Sequence, residues 1–431
     1  MEMKPAREFA KTPLGDALVA GVIAAVLALP LLGFRLSDAA QGAGVEFRPL
    51  YLLVSVVVVF VGRLAVNYGI EFIRRADARR LGGRVKPGHG EGKVGVALET
   101  IGLWAVIAFA VALPVLPFAE RNVVDIATLI LIYVLLATGL NITVGLAGLL
   151  DLGYVAFYAV GAYTYALLTT ALSFSFWVAM PLAGLSAAAF GLMLGFPVLR
   201  LRGDYLAIVT LGFGQIVHTV LVNWTDATGG PNGISGIARP SFFGLPFQPA
   251  AEGQTSFADY FGVPFSPLQR IYFLYYLILG VALIAMLFVW RLRRLPLGRA
   301  FEALREDETA CVALGLNPTI IKLSAFALGA GIAGIAGSLF ATRQGFISPE
   351  SFTFVETAII LAIVVLGGMG SQLGIVLAAI LLVGLPEWFR ELEDYRMVAF
   401  GLAMVLIMLW RPHGLTRVRC PTITLNRGAR A

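Results

Sequence analysis

The sequence is a succession of apolar runs of roughly 20 residues, separated by short segments that hold nearly all of its charge. A run of that length crosses the hydrocarbon core of a bilayer as a helix, so the repetition dictates a chain that passes through a membrane many times. Of 431 residues, 58% are hydrophobic and 13% charged, too little polar surface to coat a soluble globule. Runs this long also exclude a barrel, whose strands would alternate over about ten residues. The predicted class is all-α: a polytopic integral membrane protein of about 12 transmembrane helices, with broken or re-entrant segments.

Residues 1–95 form an N-terminal extension with two spans, 14–33 and 50–68, followed by a basic loop at 74–93. The core, 96–413, carries spans near 96–118, 123–140, 153–172, 177–199, 205–223, 271–290, 323–341, 354–366, 375–385 and 397–410, and 414–431 is a tail. The density of Lys and Arg predicts that both termini, the 74–93 loop and residues 298–318 face the cytoplasm, while the long loop 225–270 faces outward. Asp125 and Glu356 then fall near the outer ends of their helices, as interfacial anchors.

A net charge of +6 raises nucleic acid as a partner, but the cations lie in loops beside apolar runs, which is an orientation signal and not a nucleic-acid face. Cys311 and Cys420 are far apart in sequence, and His89, His218 and His413 form no ligand spacing, so neither a disulfide nor a metal site is expected. No convergent nucleophile and base is visible and no cofactor is implied, so the chain reads as non-catalytic.

Two glycine-dense stretches interrupt the helical pattern, GLNITVGLAGLLDLG at 139–153 and GGMGSQLG at 367–374. Polar and glycine residues at membrane depth free backbone groups that must face protein or water, which makes such breaks candidates for lining a passage. The candidates are Asn141, Thr143, Gly145, Asp151, Gly368, Ser371 and Gln372. Glycines at 329–337 read instead as tight helix packing.

Residues 298–318, GRAFEALREDETACVALGLNP, are the interior stretch that reads as a helix in water. Positions 300–314 lack Gly and Pro, and Gly315 and Pro318 supply the stop. The segment resembles the cytoplasmic coupling helix of ATP-binding-cassette importer permeases, with Glu302 and Ala303 at the start of that family's Glu-Ala-Ala loop. Leu304 departs from the third position of that pattern, and the usual following glycine is missing. The resemblance implies ATPase coupling by Phe301, Glu302, Ala303, Leu304, Arg305, Glu306 and Gly315, with Phe301 and Leu304 as apolar anchors in the partner and the charged residues on its rim.

Longer strings extend the likeness. TGLNITVGLAGLLDLGYVAFYAVGAY from 138, FPVLRLRGDYLAIVTLGFGQIV from 196, TGGPNGIS from 228 and RQGFISPESFTFVETAIILAIVVLGGMGSQLG from 343 resemble the M-type permease subunit of branched-chain amino acid importers, over about 123–413. That resemblance implies a second permease subunit, two cytoplasmic ATPase subunits, a periplasmic binding protein and a home in a bacterial inner membrane. The chain contains no GxxxxGK[ST] phosphate loop, so hydrolysis of ATP would fall to a partner. The alternative is a proton- or sodium-coupled secondary carrier of small organic solutes, which would hold ionisable groups in mid-membrane.

Overall fold

A computed structural model of the chain describes residues 34–39, 42–47, 106–115, 121–198, 201, 203–240, 267–384 and 401. The chain divides into two compact units, Met1–Ile101 with Trp388–Leu406, and Gly102–Glu387 with Ile407–Ala431. The expected spans at 14–33, 50–68 and 397–410, the 74–93 loop, the tail and Cys420 lie outside the described residues.

In the first unit the described residues form an antiparallel hairpin, β1 (Phe34–Ala39) and β2 (Gly42–Phe47), with Arg35 opposite Glu46. The first four residues of FRLSDA alternate apolar and polar, as the two-residue period of a strand requires.

The second unit is a helix bundle. Its elements are α1 (Arg121–Leu140), α2 (Tyr154–Thr170), α3 (Phe176–Val198), α4 (Asp204–Asn223), α5 (Pro267–Leu292), α6 (Pro296–Glu306), α7 (Glu308–Ala313), α8 (Pro318–Gln344), α9 (Phe354–Gly367) and α10 (Gln372–Ala379). Six helical segments among the described residues are long and apolar enough to cross a membrane: Arg121–Leu146, Phe176–Phe196, Asp204–Asn223, Leu268–Leu292, Pro318–Gln344 and Pro349–Gly367. The protein is therefore a polytopic helical membrane protein.

The bundle is built around α8, which packs on α1, α2 and α3. Its GAGIAGIAG stretch permits this. A Cβ on Gly161 of α2 would overlap the Gly334 backbone, and one on Gly337 would overlap the Tyr158 carbonyl, so the two helices meet backbone to backbone. In this span 61% of the apolar window is buried, against 33% in α4, whose Tyr205, Ile208 and Ile216 face outward to lipid or a partner. At one end of the core Tyr158, Phe340 and Phe352 pack edge-on, with ring centroids 5.0 to 6.1 Å apart.

The bundle has two distinct ends. Helices α1 and α5 run from one end to the other and α8 returns. One end carries α6 and α7. At the other, residues 225–240 are pinned: the Thr228 hydroxyl donates to the Leu221 and Trp224 carbonyls, Tyr165 donates to the Ala238 carbonyl, and β3 (Ile234–Ser235) pairs with β4 (Phe346–Ile347). At 26 residues, α5 puts the two ends about 39 Å apart.

Candidate functional site

The first glycine-dense stretch begins as a π-helical turn, Asn141–Leu146, that continues α1 with wider pitch. Such a turn carries an extra residue and releases backbone groups from the regular ladder. The chain then turns at Gly148, with φ +72°, and re-enters α2 at Tyr154. The Tyr154 hydroxyl donates to the Leu136 carbonyl, ten residues above the foot of the turn, so α2 starts inside the bundle and not at its end. This is the broken geometry expected from the glycines. Asp151 is wholly buried and shapes the re-entry: its Oδ1 accepts from the Gly153 amide at 2.9 Å, an Asx turn, while the Leu152 amide donates to Thr210 Oγ1 of α4.

The second stretch is a sharp corner between α9 and α10. Gly368 (φ +100°) and Gly370 (φ +89°) take conformations that a side chain would strain, and Ser371 caps α10 by accepting from the Gly374 amide. Gln372 Nε2 donates to the Met286 carbonyl of α5, tying the corner to that helix.

The two breaks meet. The Gly370 amide donates to Asn141 Oδ1 at 2.8 Å, across 229 positions of sequence. Gly145 lies against the same contact, where a Cβ would overlap Asn141 Oδ1 and crowd the Gly370 amide. Thr143 donates to the Leu140 carbonyl, which uses its hydroxyl locally. Asn141, Thr143, Asp151 and Ser371 are each at most 2% exposed. In this conformation they are closed to solvent: Asn141 Oδ1 joins the two breaks, Thr143, Asp151 and Ser371 bond within their own stretches, and Asn141 Nδ2 and Asp151 Oδ2 are buried without a hydrogen bond among the described residues.

Residues 296–313 sit directly under that junction, as two helices instead of the single helix expected at 300–314. The division falls at Asp307, extended at φ −159° and ψ 113°, whose Oδ1 accepts from the Thr309 and Ala310 amides and so caps α7. An aspartate that can satisfy two free helix-end amides starts a new helix in place of continuing the old one. Helix α6 also begins earlier than expected, at Pro296, whose missing N–H is harmless in a first turn.

Phe301 is 0% exposed and Leu304 6%, both packed inside this chain, where α6 rests on α8 and on the π-helical turn. In this conformation they anchor the helix to its own bundle, whereas the sequence reading placed them in an ATPase groove. Their spacing marked a buried face without saying what buries it. Arg305 is exposed, and its Nη1 donates to the Gly145 carbonyl at 2.6 Å, so its guanidinium also touches the first break. Arg293 makes the matching contact to the second break, donating to the Gly370 carbonyl at 3.0 Å, and pairs with Glu302 at 3.5 Å. Sequence reasoning missed Arg293, whose only signal was its place in the basic run RLRRLPLGR.

Ala303 is half-buried, and Glu306 is exposed. The apolar surface that α6 and α7 present to solvent is Val312 (57% exposed), Leu314 (78%) and Leu316 (36%), grouped around Gly315, whose φ of +81° ends α7. Leu314 and Leu316 were not singled out from sequence, and Val312 was grouped on one helical face with Phe301 and Leu304, from which the break at Asp307 separates it. Glu308 ties α7 to α8 by accepting from the almost fully buried Lys322 at 2.9 Å. The buried Cys311 thiol is held above its usual range, first by burial and then by the negative Asp307 and Glu308. It is neutral at pH 7 and inert as a nucleophile.

Elsewhere, Asp125 stands at the opposite end, paired with Arg343 at 2.8 Å. Glu356, in the first turn of α9, is half-buried and accepts from the Tyr133 hydroxyl at 2.6 Å. Among the described residues no group of three or more His, Cys, Asp or Glu is placed to hold a metal ion.

Comparison with known proteins agrees with this architecture. A family model described as "Branched-chain amino acid transport system / permease component" matches residues 122–408, and a domain of unknown function, DUF3382, matches residues 12–113. The chain is 56% identical over 329 residues to the high-affinity branched-chain amino acid transport system permease protein LivM of Escherichia coli K12, covering 76% of this chain and 77% of that protein. It is 26% identical to a probable branched-chain amino acid transport permease protein LivM of Methanocaldococcus jannaschii, over 55% of this chain and 67% of that one. The autoinducer 2 import system permease protein LsrC of Salmonella paratyphi B is also 26% identical, over 49% and 59%. No solved structure matches. The chain therefore belongs to the family of permease components of branched-chain amino acid transport systems.

Proposed function

We propose that this chain is a transmembrane permease subunit of an ATP-driven importer of leucine, isoleucine and valine, one of two permeases in a heteromer in a bacterial inner membrane. The chain is not itself an enzyme; two cytoplasmic ATPase subunits hydrolyse ATP, and a periplasmic binding protein delivers the cargo. The observation that carries this reading is the wiring of α6 to both glycine breaks, by Arg305 to Gly145 and by Arg293 to Gly370. A displacement of α6 reaches the Asn141–Gly370 junction through two charge-assisted hydrogen bonds, with no flexible loop between.

In this mechanism an ATPase seats the exposed Val312, Leu314 and Leu316, with Glu302, Glu306 and Ala303 beside them, while the buried Phe301 and Leu304 make α6 move as one body with the bundle. Closure of the ATPases pulls α6, and the junction of the breaks yields, because glycines there tolerate backbone change that other residues resist.

The test is reconstitution of the importer with its ATPases, reading ATPase stimulation by loaded binding protein together with leucine uptake. ATP-dependent leucine uptake that is lost when Val312 and Leu314 are both changed to Asp, with release of the ATPases, is the expected result. Single cysteines at Asn232 and Thr309, in a background lacking Cys311 and Cys420, test orientation: an impermeant maleimide labels 232 from outside and not 309. The carrier reading draws on the buried carboxyl of Asp151 and the half-buried one of Glu356. Uptake driven by a proton or sodium gradient without ATP would favour it over the importer.

A further inference from the structure

At the end of the bundle opposite α6 lies a cavity of about 230 Å³ between the first turns of α1 and α5 and the last turn of α8. Arg121, Arg239, Arg270 and Arg343 line it, against a single carboxylate, Asp125, which leaves a formal charge of +3. Among the described residues only Arg343 has an ionic partner, Asp125, and its Nε is buried with no hydrogen bond. The N-termini of α1 and α5 both open beside the cavity and add the positive ends of two long helix dipoles. Four guanidiniums held this close repel one another, and a bound anion would relieve that repulsion. Metal cations are excluded by the same field.

The walls narrow the ligand further. Ile271 and Leu274 of α5 give an apolar side, and Asp125, half exposed, keeps its second carboxylate oxygen open beside its contact with Arg343. A volume of 230 Å³ holds about seven waters' share of liquid, room for one small molecule and not for a folded segment. Cation, anion and aliphatic wall are the three partners that a free aliphatic amino acid requires: guanidinium for its carboxylate, carboxylate for its ammonium, and methyl contacts for its side chain.

We propose that this cavity is a receiving site for the cargo at the outer mouth of the permease, with Arg121 and Arg270 holding the carboxylate and Asp125 the ammonium. The proposal rests on the importer reading for its orientation and for the identity of the cargo. The site captures the amino acid as it leaves the binding protein, and its excess positive charge selects carboxylates over amines.

The test uses the complete importer in nanodiscs without binding protein, and saturation-transfer NMR with three probes: leucine, 4-methylpentanoate, which lacks the ammonium, and 3-methylbutylamine, which lacks the carboxylate. Leucine and 4-methylpentanoate bind and the amine does not. The double variant Arg121→Gln, Arg270→Gln weakens both by about tenfold or more, the loss expected for hydrogen bonds to a charged group. Asp125→Asn weakens leucine and spares 4-methylpentanoate, a split that general damage to the fold would not produce. Unchanged binding in the double variant, or equal binding of the amine, overturns the proposal. So does a double variant that loses affinity only for the loaded binding protein while wild type binds none of the probes, since that makes the cavity a protein-docking surface. If the wild-type importer fails to take up leucine with ATP, the importer reading fails by itself, and the loss of 4-methylpentanoate binding in the double variant still establishes the anion site.

Discussion

The two ends of the bundle use arginine in opposite ways. At the α6 end Arg293 and Arg305 are spent on structure, each donating to the carbonyl of a glycine break. At the other end Arg121, Arg239 and Arg270 carry no ion pair among the described residues and point into a shared cavity. A satisfied guanidinium is a strut, because moving it exposes a carbonyl that then lacks a donor. An unsatisfied one is a charge held ready for something to arrive. The contrast sets an end braced by its arginines against an end that leaves them open, and it can be attacked at four points.

The largest effect is expected from Phe301→Ala. The ring is fully buried beneath α6, so its loss costs about 3–5 kcal/mol of local stability. Trypsin should then cut after Arg299 and Arg305 much faster than in wild type, even with no ATPase present. A variant as resistant as wild type, but unable to hold the ATPases, would restore the reading of Phe301 as an anchor in the partner.

Next is Gly145→Leu. A side chain at this position displaces Asn141 from the Gly370 amide, and overpacking of this kind costs about 1–3 kcal/mol. Leucine uptake should vanish while the subunits still co-purify. Wild-type uptake would mean that the junction of the breaks has no part in transport.

Arg305→Ala comes third, at about 1.5–3 kcal/mol for a charged hydrogen bond. From sequence alone, Arg305 was placed on the rim of a partner contact. Basal ATPase activity should persist, while its stimulation by loaded binding protein falls. A full response to binding protein would leave Arg293 as the sole strut and break the symmetry of the two contacts.

These three sites also mark how far the sequence could be read. The spans were legible because lipid demands about 20 apolar residues whatever they pack against: the expected 323–341 and 271–290 lie inside α8 and α5. The breaks were legible from glycine density, since Gly368 and Gly370 are needed at positive φ. What joined them was not. Asn141 and Gly370 are partners across 229 positions, and no local pattern in either stretch names the other. The split at Asp307 was hidden for a different reason. Helix propensity favours continuing through EALREDETACVAL, and the capping geometry that overrides it depends on how the chain leaves α6. The four arginines of the cavity come from separate segments and form no motif at all.

The smallest effect, and the one that most sharpens the contrast, belongs to Arg270→Gln. If Arg270 is an open charge, removing it breaks no ion pair and lowers the repulsion from Arg121 and Arg239, so stability should stay within about 0.5 kcal/mol of wild type or rise. Salt gives the same idea a second reading. At 0.1 M ionic strength charges are screened over about 10 Å, so added salt should stabilise wild type more than the double variant Arg121→Gln, Arg270→Gln, which has less repulsion to screen. Arg305→Ala should show no such salt difference, because a short hydrogen bond to a carbonyl is lost there whatever the ionic strength. Thermal unfolding of the purified complex at low and high salt makes all three comparisons. If Arg270→Gln destabilises the protein as much as Arg305→Ala does, and salt does not distinguish them, then the outer arginines are struts as well and the two ends differ only in what they brace.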